Sequence, residues 1–212
     1  PGRSSPWRGL PAVATDTAPA AGVSPTKRAG EVPGGADVWV LLGGDFLVFS
    51  LFFATYAWYW QNDPEVFARS QEQVNTLIGF TNTMLLLTGS WLVASGMRQV
   101  RSRQSRRAAV LMGLAGFTGI LFLLNKSIEW IHLFSQGVAL DTNEYFIMFF
   151  MLTGIHGLHV IIGTGLLLYA YLRLRNPATP APSEHMLECS ALFWHLVDVL
   201  WIVLFALVYL VS

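Results

Sequence analysis

Five long apolar stretches constrain this chain more than any other feature: approximately Val38–Trp60, Val74–Met97, Ala108–Phe134, Tyr145–Leu172 and Leu187–Val211. At 1.5 Å per residue, each is long enough to cross about 30 Å of hydrocarbon. Each is apolar nearly all round, without the period-two alternation of a membrane barrel. A lipid-exposed segment must satisfy its own backbone hydrogen bonds, so the stretches predict helices. The expected fold is all-α, an integral membrane bundle of five transmembrane helices with short connections. Composition agrees, since 53% of residues are hydrophobic and 12% are charged, about half the usual share of charge. Thirteen Lys and Arg balance thirteen Asp and Glu, which leaves no basic excess for nucleic acid. Cys189 is the sole cysteine, so an internal disulfide and a multi-cysteine metal centre are both excluded.

Basic residues predict an orientation. With five spans, the N-terminal segment, the second loop and the fourth loop share one side. They hold Arg3, Arg8, Lys27 and Arg28, then Arg98, Arg101, Arg103, Arg106 and Arg107, then Arg173 and Arg175. The opposite side holds only Arg69, near Asp63, Glu65, Glu72, Asp141 and Glu144. Eleven against one places the N-terminus in the cytoplasm and the C-terminus outside. Residues 1–36, rich in Pro, Ala, Gly, Ser and Thr, read as a flexible cytoplasmic tail without a signal-peptide core. Residues 37–212 form the membrane domain. The basic run 98–107 reads as a positive-inside loop, and residues 61–73 as a polar, acidic outer loop.

Ionisable groups within spans are expensive, so each is a candidate for function. They are Asp45, Lys126, Glu129, His132, His156, His159, His195 and Asp198, with the polar Asn82. Glu129 and His132, His156 and His159, and His195 and Asp198 are i,i+3 pairs, about 60° apart on one helix face. Counted from the inner edge, Asp45 lies about 10 Å deep, His195 about 12 Å and Asp198 about 16 Å. His156 falls near the midplane and His159 about 9 Å from the inside. Lys126 is placed about 27 Å above the inner edge, some 15–20 Å from this inner layer, with Glu129 and His132 higher still.

The outer group, Lys126, Glu129 and His132, reads as an interfacial cluster in which Lys126 pairs with Glu129 and snorkels. Glu129-x-x-His132 also matches half of a di-iron motif, but no second Glu-x-x-His exists. The inner group leaves three readings open. Two imidazoles, from His156 or His159 and from His195, could bind haem. Asp45, Asp198 and the histidines could relay protons. A structural polar network could join helices four and five, with His195 paired to Asp198. Gly154, Gly157, Gly163 and Gly165 favour close helix contact around the histidines.

Thr153-Gly-Ile-His-Gly-Leu-His-Val-Ile-Ile-Gly-Thr164 and Ala191-Leu-Phe-Trp-His-Leu-Val-Asp-Val-Leu-Trp-Ile-Val-Leu-Phe205 resemble the last two helices of cytochrome c oxidase subunit III. Gly44-Asp-Phe-Leu-Val-Phe49 resembles the family helix with a membrane-embedded carboxylate, with Asp45 where many members carry Glu. Asn125-Lys-Ser-Ile-Glu-Trp130 resembles the family's Glu-aromatic helix end. The likeness covers about residues 37–212 and is closest to the short five-helix forms. Asn82-Thr-Met-Leu-Leu-Leu-Thr88 and Pro64-Glu-Val-Phe-Ala-Arg-Ser-Gln71 lean toward the NorE proteins associated with nitric oxide reductase. A subunit III of a proton-pumping cytochrome c or quinol oxidase is the alternative. A haem- or metal-binding redox enzyme using His156, His159 and His195 is a further one.

The resemblance implies a non-catalytic accessory subunit in a hetero-oligomer, with no catalytic residue, metal or haem of its own. Haem, and any copper, would belong to a catalytic partner subunit in a bacterial plasma membrane. Structural phospholipid would lie in a cleft between helix groups. Asp45 would be the proton-related acid. His156, His159, His195 and Asp198 would form the structural network.

Overall fold

The computed structural model describes residues 35–211, except 177, 179 and 181. Six α-helices follow in chain order: α1 (Gly35–Asn62), α2 (Pro64–Gln71), α3 (Thr76–Arg101), α4 (Ser105–Ser135), α5 (Glu144–Arg175) and α6 (Glu184–Phe205). A π-helical segment, Ala206–Leu210, continues α6. Five helices are long and apolar enough to cross a membrane: α1, α3, α4, α5, and α6 together with its π-helical end. The expected five-span, all-α architecture is therefore present. The proposed tail at 1–36 lies outside the described residues, save Gly35 and Ala36 in the first turn of α1.

Helix ends extend past the apolar runs because polar residues cap them. Asn75 accepts from the backbone N–H groups of Leu77 and Ile78, Asn143 from that of Phe146, and Ser183 from that of Met186. Each side chain satisfies first-turn donors that would otherwise lack partners. At the far end of α4, Gly137 takes a φ of +82°, the left-handed geometry that terminates a helix.

The connection after α1 is not the plain loop expected at 61–73. Asp63 caps α2 through the Val66 N–H, and Pro64 occupies the first turn, where its missing N–H is harmless. Phe67 of α2 is 1% exposed and packs edge-on against Tyr56 and Tyr145. Asn143 donates to Ser70 Oγ at 2.9 Å. The short helix thus plugs one end of the bundle between α1 and α5.

Helices α3, α4, α5 and α6 surround one core, while α1 leans on α5 and α6. Only 11% of the apolar window of α1 is buried, against 56% for the last span. The centre of the core is Trp194, which is fully buried. Glycines of three helices seat it: a Cβ at Gly89, Gly119 or Gly163 would come within 3.0, 2.9 or 3.1 Å of its ring. The small-residue expectation holds only partly. Gly163 serves this contact and Gly154 faces Trp130, but Gly157 and Gly165 have nothing within 4 Å.

Candidate functional site

Asp45 and His159 meet across α1 and α5. Asp45 Oδ1 lies 3.6 Å from His159 Nε2, and both side chains are partly buried. His159 Nδ1 lies 2.9 Å from the backbone carbonyl of Ile155, one turn back. Phe49 packs edge-on against the imidazole at 5.4 Å, and Phe193 stacks on it at 6.0 Å. An aromatic clamp therefore orients the ring toward the carboxylate. Asp45 is on α1, the least buried span, so this acid sits at the margin of the bundle rather than in its centre.

His156 faces the other way. It is fully buried, 5.1 Å from the Trp201 ring and 5.6 Å from Phe122, and neither ring nitrogen has a hydrogen-bond partner among the described residues. The i,i+3 spacing keeps His156 and His159 near one helix face, yet the bundle divides that face. One histidine serves the core and the other serves α1.

His195 reaches α3 instead of α5. Its Nδ1 lies 3.2 Å from Ser90 Oγ. Asp198, three residues further along α6, is buried, and its Oδ1 has no hydrogen-bond partner among the described residues. The polar link from Ser90 to His195 joins the second and fifth spans. Asn125 donates to Asn82 Oδ1 at 2.8 Å, and Trp201 Nε1 donates to Thr83 Oγ1 at 3.0 Å, so α3 is also tied to α4 and α6. Sequence reasoning missed Ser90 because one hydroxyl in an apolar run carries no spacing signal.

A second centre lies toward the C-terminal ends of α4 and α6. Lys126 donates to Glu129 Oε2 at 2.7 Å and to the Tyr209 hydroxyl at 2.6 Å. The Tyr209 hydroxyl also contacts both Glu129 oxygens, at 3.0 and 2.9 Å. Phe149, Tyr209 and Trp201 present ring centroids 4.3, 5.2 and 5.5 Å from Lys126 Nζ. The expected Lys126–Glu129 pair is present, but it does not snorkel: both residues are buried inside the bundle. His132 leaves the cluster altogether. It is exposed and bonds to the Gln136 side chain, because it lies about 120° around the helix from Lys126.

Tyr209 reaches this pair from the π-helical segment. The Tyr145 hydroxyl donates to the carbonyl of Val208 at 3.0 Å, which holds the same segment from α5. Two tyrosines thus anchor the local departure from α geometry. The two layers are also closer than expected, since Trp201 touches both His156 and Lys126. α4 has 31 residues and α5 has 32, about 46–48 Å of helix. A count along one of them therefore does not fix the level of Lys126 relative to His156.

Among the described residues, no group of three or more His, Cys, Asp and Glu is arranged to hold a metal ion. His156 packs against Phe122 and Trp201, His159 faces Asp45 and His195 faces Ser90, so the structure does not bring the three together as one ligand set.

Residues 45–212 match the profile of the family described as cytochrome c oxidase subunit III. A cytochrome c oxidase subunit 3 from Synechocystis is 32% identical over 82% of this chain and 73% of that protein. A quinol oxidase subunit 3 from Bacillus subtilis is 29% identical over 82% of this chain and 85% of that protein. A cytochrome bo(3) ubiquinol oxidase subunit 3 from Buchnera aphidicola is 28% identical, covering 82% and 91%.

Proposed function

Because the chain belongs to the cytochrome c oxidase subunit III family, we propose that it is the accessory third subunit of a bacterial cytochrome c or quinol oxidase. Its partner is then a haem-containing catalytic subunit of the same membrane, and any copper lies there too. The family match across residues 45–212 carries this reading. The NorE-like subtype favoured by Asn82–Thr88 and Pro64–Gln71 draws no support from the relatives described above, which are named for cytochrome c and quinol oxidases. The distribution of eleven basic residues against one supports an inside N-terminus and an outside C-terminus.

Within this role, Asp45 is the acid that supports proton uptake by the catalytic partner. The observation behind it is the 3.6 Å contact with His159 at a partly open edge of the bundle. A carboxylate beside an imidazole can exchange a proton with little rearrangement, which suits a relay group in a membrane. His156, Ser90, His195 and Asp198 hold helices together, and phospholipid fills a cleft between helix groups.

Two experiments test this. The full chain, affinity-purified from its native membrane, is expected to bring down a haem-bearing subunit that reduces oxygen. A Soret band in the isolated chain would overturn the accessory role, and reduction of nitric oxide in place of oxygen would restore the NorE-like subtype. In the assembled complex, Asp45→Asn is expected to leave subunit content unchanged while turnover decays several-fold sooner. Unchanged inactivation kinetics would remove Asp45 from proton uptake.

A further inference from the structure

The outward face of α4 carries a groove that the subunit reading does not use. Its polar end, a cavity of about 380 Å³, is lined by Gln99, Arg106, Arg107, Val110 and Leu111. Next to it runs an apolar cavity of about 350 Å³, lined by Val110, Gly113, Leu114, Phe117 and Ile120 of α4 with Leu168 and Tyr171 of α5. Val110 lines both cavities. Gly113 lets the Tyr171 ring lie against α4, where a Cβ would come within 2.9 Å of it. The Tyr171 hydroxyl accepts a hydrogen bond from Arg175, which anchors a further cation on the neighbouring helix.

From Val110 to Ile120 the helix rises about 15 Å, the depth of one leaflet's hydrocarbon. The arginines sit where that leaflet's phosphates lie. Arg106 and Arg107 are exposed, and no carboxylate forms a salt bridge with either among the described residues. Two guanidinium groups above an apolar channel of leaflet depth are complementary to a lipid that carries a negative headgroup.

We infer that this groove is a binding site for an anionic phospholipid of the arginine-side leaflet, its phosphate on Arg106 and Arg107 and one acyl chain along Val110, Gly113 and Phe117. The site needs only a membrane-spanning chain, so it stands apart from the proposed subunit role. It also differs from a cleft between helix groups, because α4 and α5 pack directly on each other.

Native mass spectrometry of the full chain in mild detergent tests it, with phosphatidylglycerol and phosphatidylcholine of identical acyl chains as probes. At about fivefold per surface arginine, phosphatidylglycerol is expected to be retained on the order of 20-fold more strongly. R106Q together with R107Q should bring the two lipids to parity. Val110→Trp, which adds bulk to both cavities and leaves every charge in place, should lower phosphatidylglycerol retention at least fivefold. Inorganic phosphate should not compete.

Equal retention of both lipids by the unaltered chain would overturn the site. So would an undiminished preference in Val110→Trp, which would mean diffuse attraction to a basic surface. Competition by inorganic phosphate would indicate a free-anion site instead. Crosslinking of a Val110→Cys variant to a companion subunit in the intact complex would assign the groove to protein.

Discussion

Replacing Lys126 with Met is expected to destabilise the chain by about 3–5 kcal/mol, the range for breaking a buried ion pair from one side. Lys126 is 5% exposed and Glu129 is 2% exposed. The ammonium makes two short polar bonds, at 2.7 and 2.6 Å. Met keeps most of the stem that packs against Phe149, so lost volume contributes little. What remains is a Glu129 carboxylate in the bundle with Tyr209 alone to solvate it. Glu129→Gln strands the ammonium in the opposite sense and should be destabilising as well. Lys126→Met/Glu129→Gln leaves no buried charge, and its amide still accepts from Tyr209. The double variant should therefore lose only about 1–2 kcal/mol, less than Lys126→Met alone. Equilibrium unfolding in mixed micelles, followed by tryptophan fluorescence, supplies the three free energies. A double variant whose loss equals the sum of the singles would show the groups to be uncoupled, and the buried pair would cease to be the stabilising unit.

Gly119→Ala is expected to lower the unfolding midpoint, because the new Cβ meets Thr164 Oγ1 and the Trp194 ring. Overpacking costs about 1–3 kcal/mol, more than the roughly 1 kcal/mol that Ala gains over Gly in a helix. Gly157→Ala, with nothing within 4 Å, should keep or raise the midpoint in the same detergent, and the reverse order would refute the seating of Trp194. Ser90→Ala should cost about 1–3 kcal/mol, since it removes the hydroxyl that His195 Nδ1 meets at 3.2 Å. Asp198→Asn should cost less than Ser90→Ala, measured as the yield of folded chain, because one carboxylate oxygen is already unpartnered. A larger loss in Asp198→Asn would return Asp198 to the centre of that link.

The helices were legible because lipid leaves the backbone few alternatives, and length and apolarity alone locate each span. Partner choice was not legible to the same degree. The expected contact of Lys126 with Glu129, within one helix, is present. The i,i+3 spacing pairs His195 with Asp198, and His195 also reaches the Ser90 hydroxyl on another helix. Intrahelical spacing states which side chains are close enough to interact. It does not state which helix the shared face meets. His156 and His159 show this most clearly, since one face of α5 borders both Trp201 and Asp45. Tyr209 was hidden for a related reason: π-helical geometry changes the residue count per turn, so an α-helical count misplaces the face on which it lies.

Depth carries the same lesson in another coordinate. Two antiparallel helices of about 46–48 Å exceed a 30 Å hydrocarbon layer. A residue's distance from one helix end therefore does not fix its distance from the midplane. Contacts between the helices do, and Phe122 against His156 sets the level directly. Lys126 lies only one turn beyond Phe122, which brings its buried charge within reach of Trp201. That ring then links His156 and Lys126 through aromatic contact. A membrane subunit built this way can keep few charges in its spans, because each buried one is enclosed by rings or answered by a partner on another element.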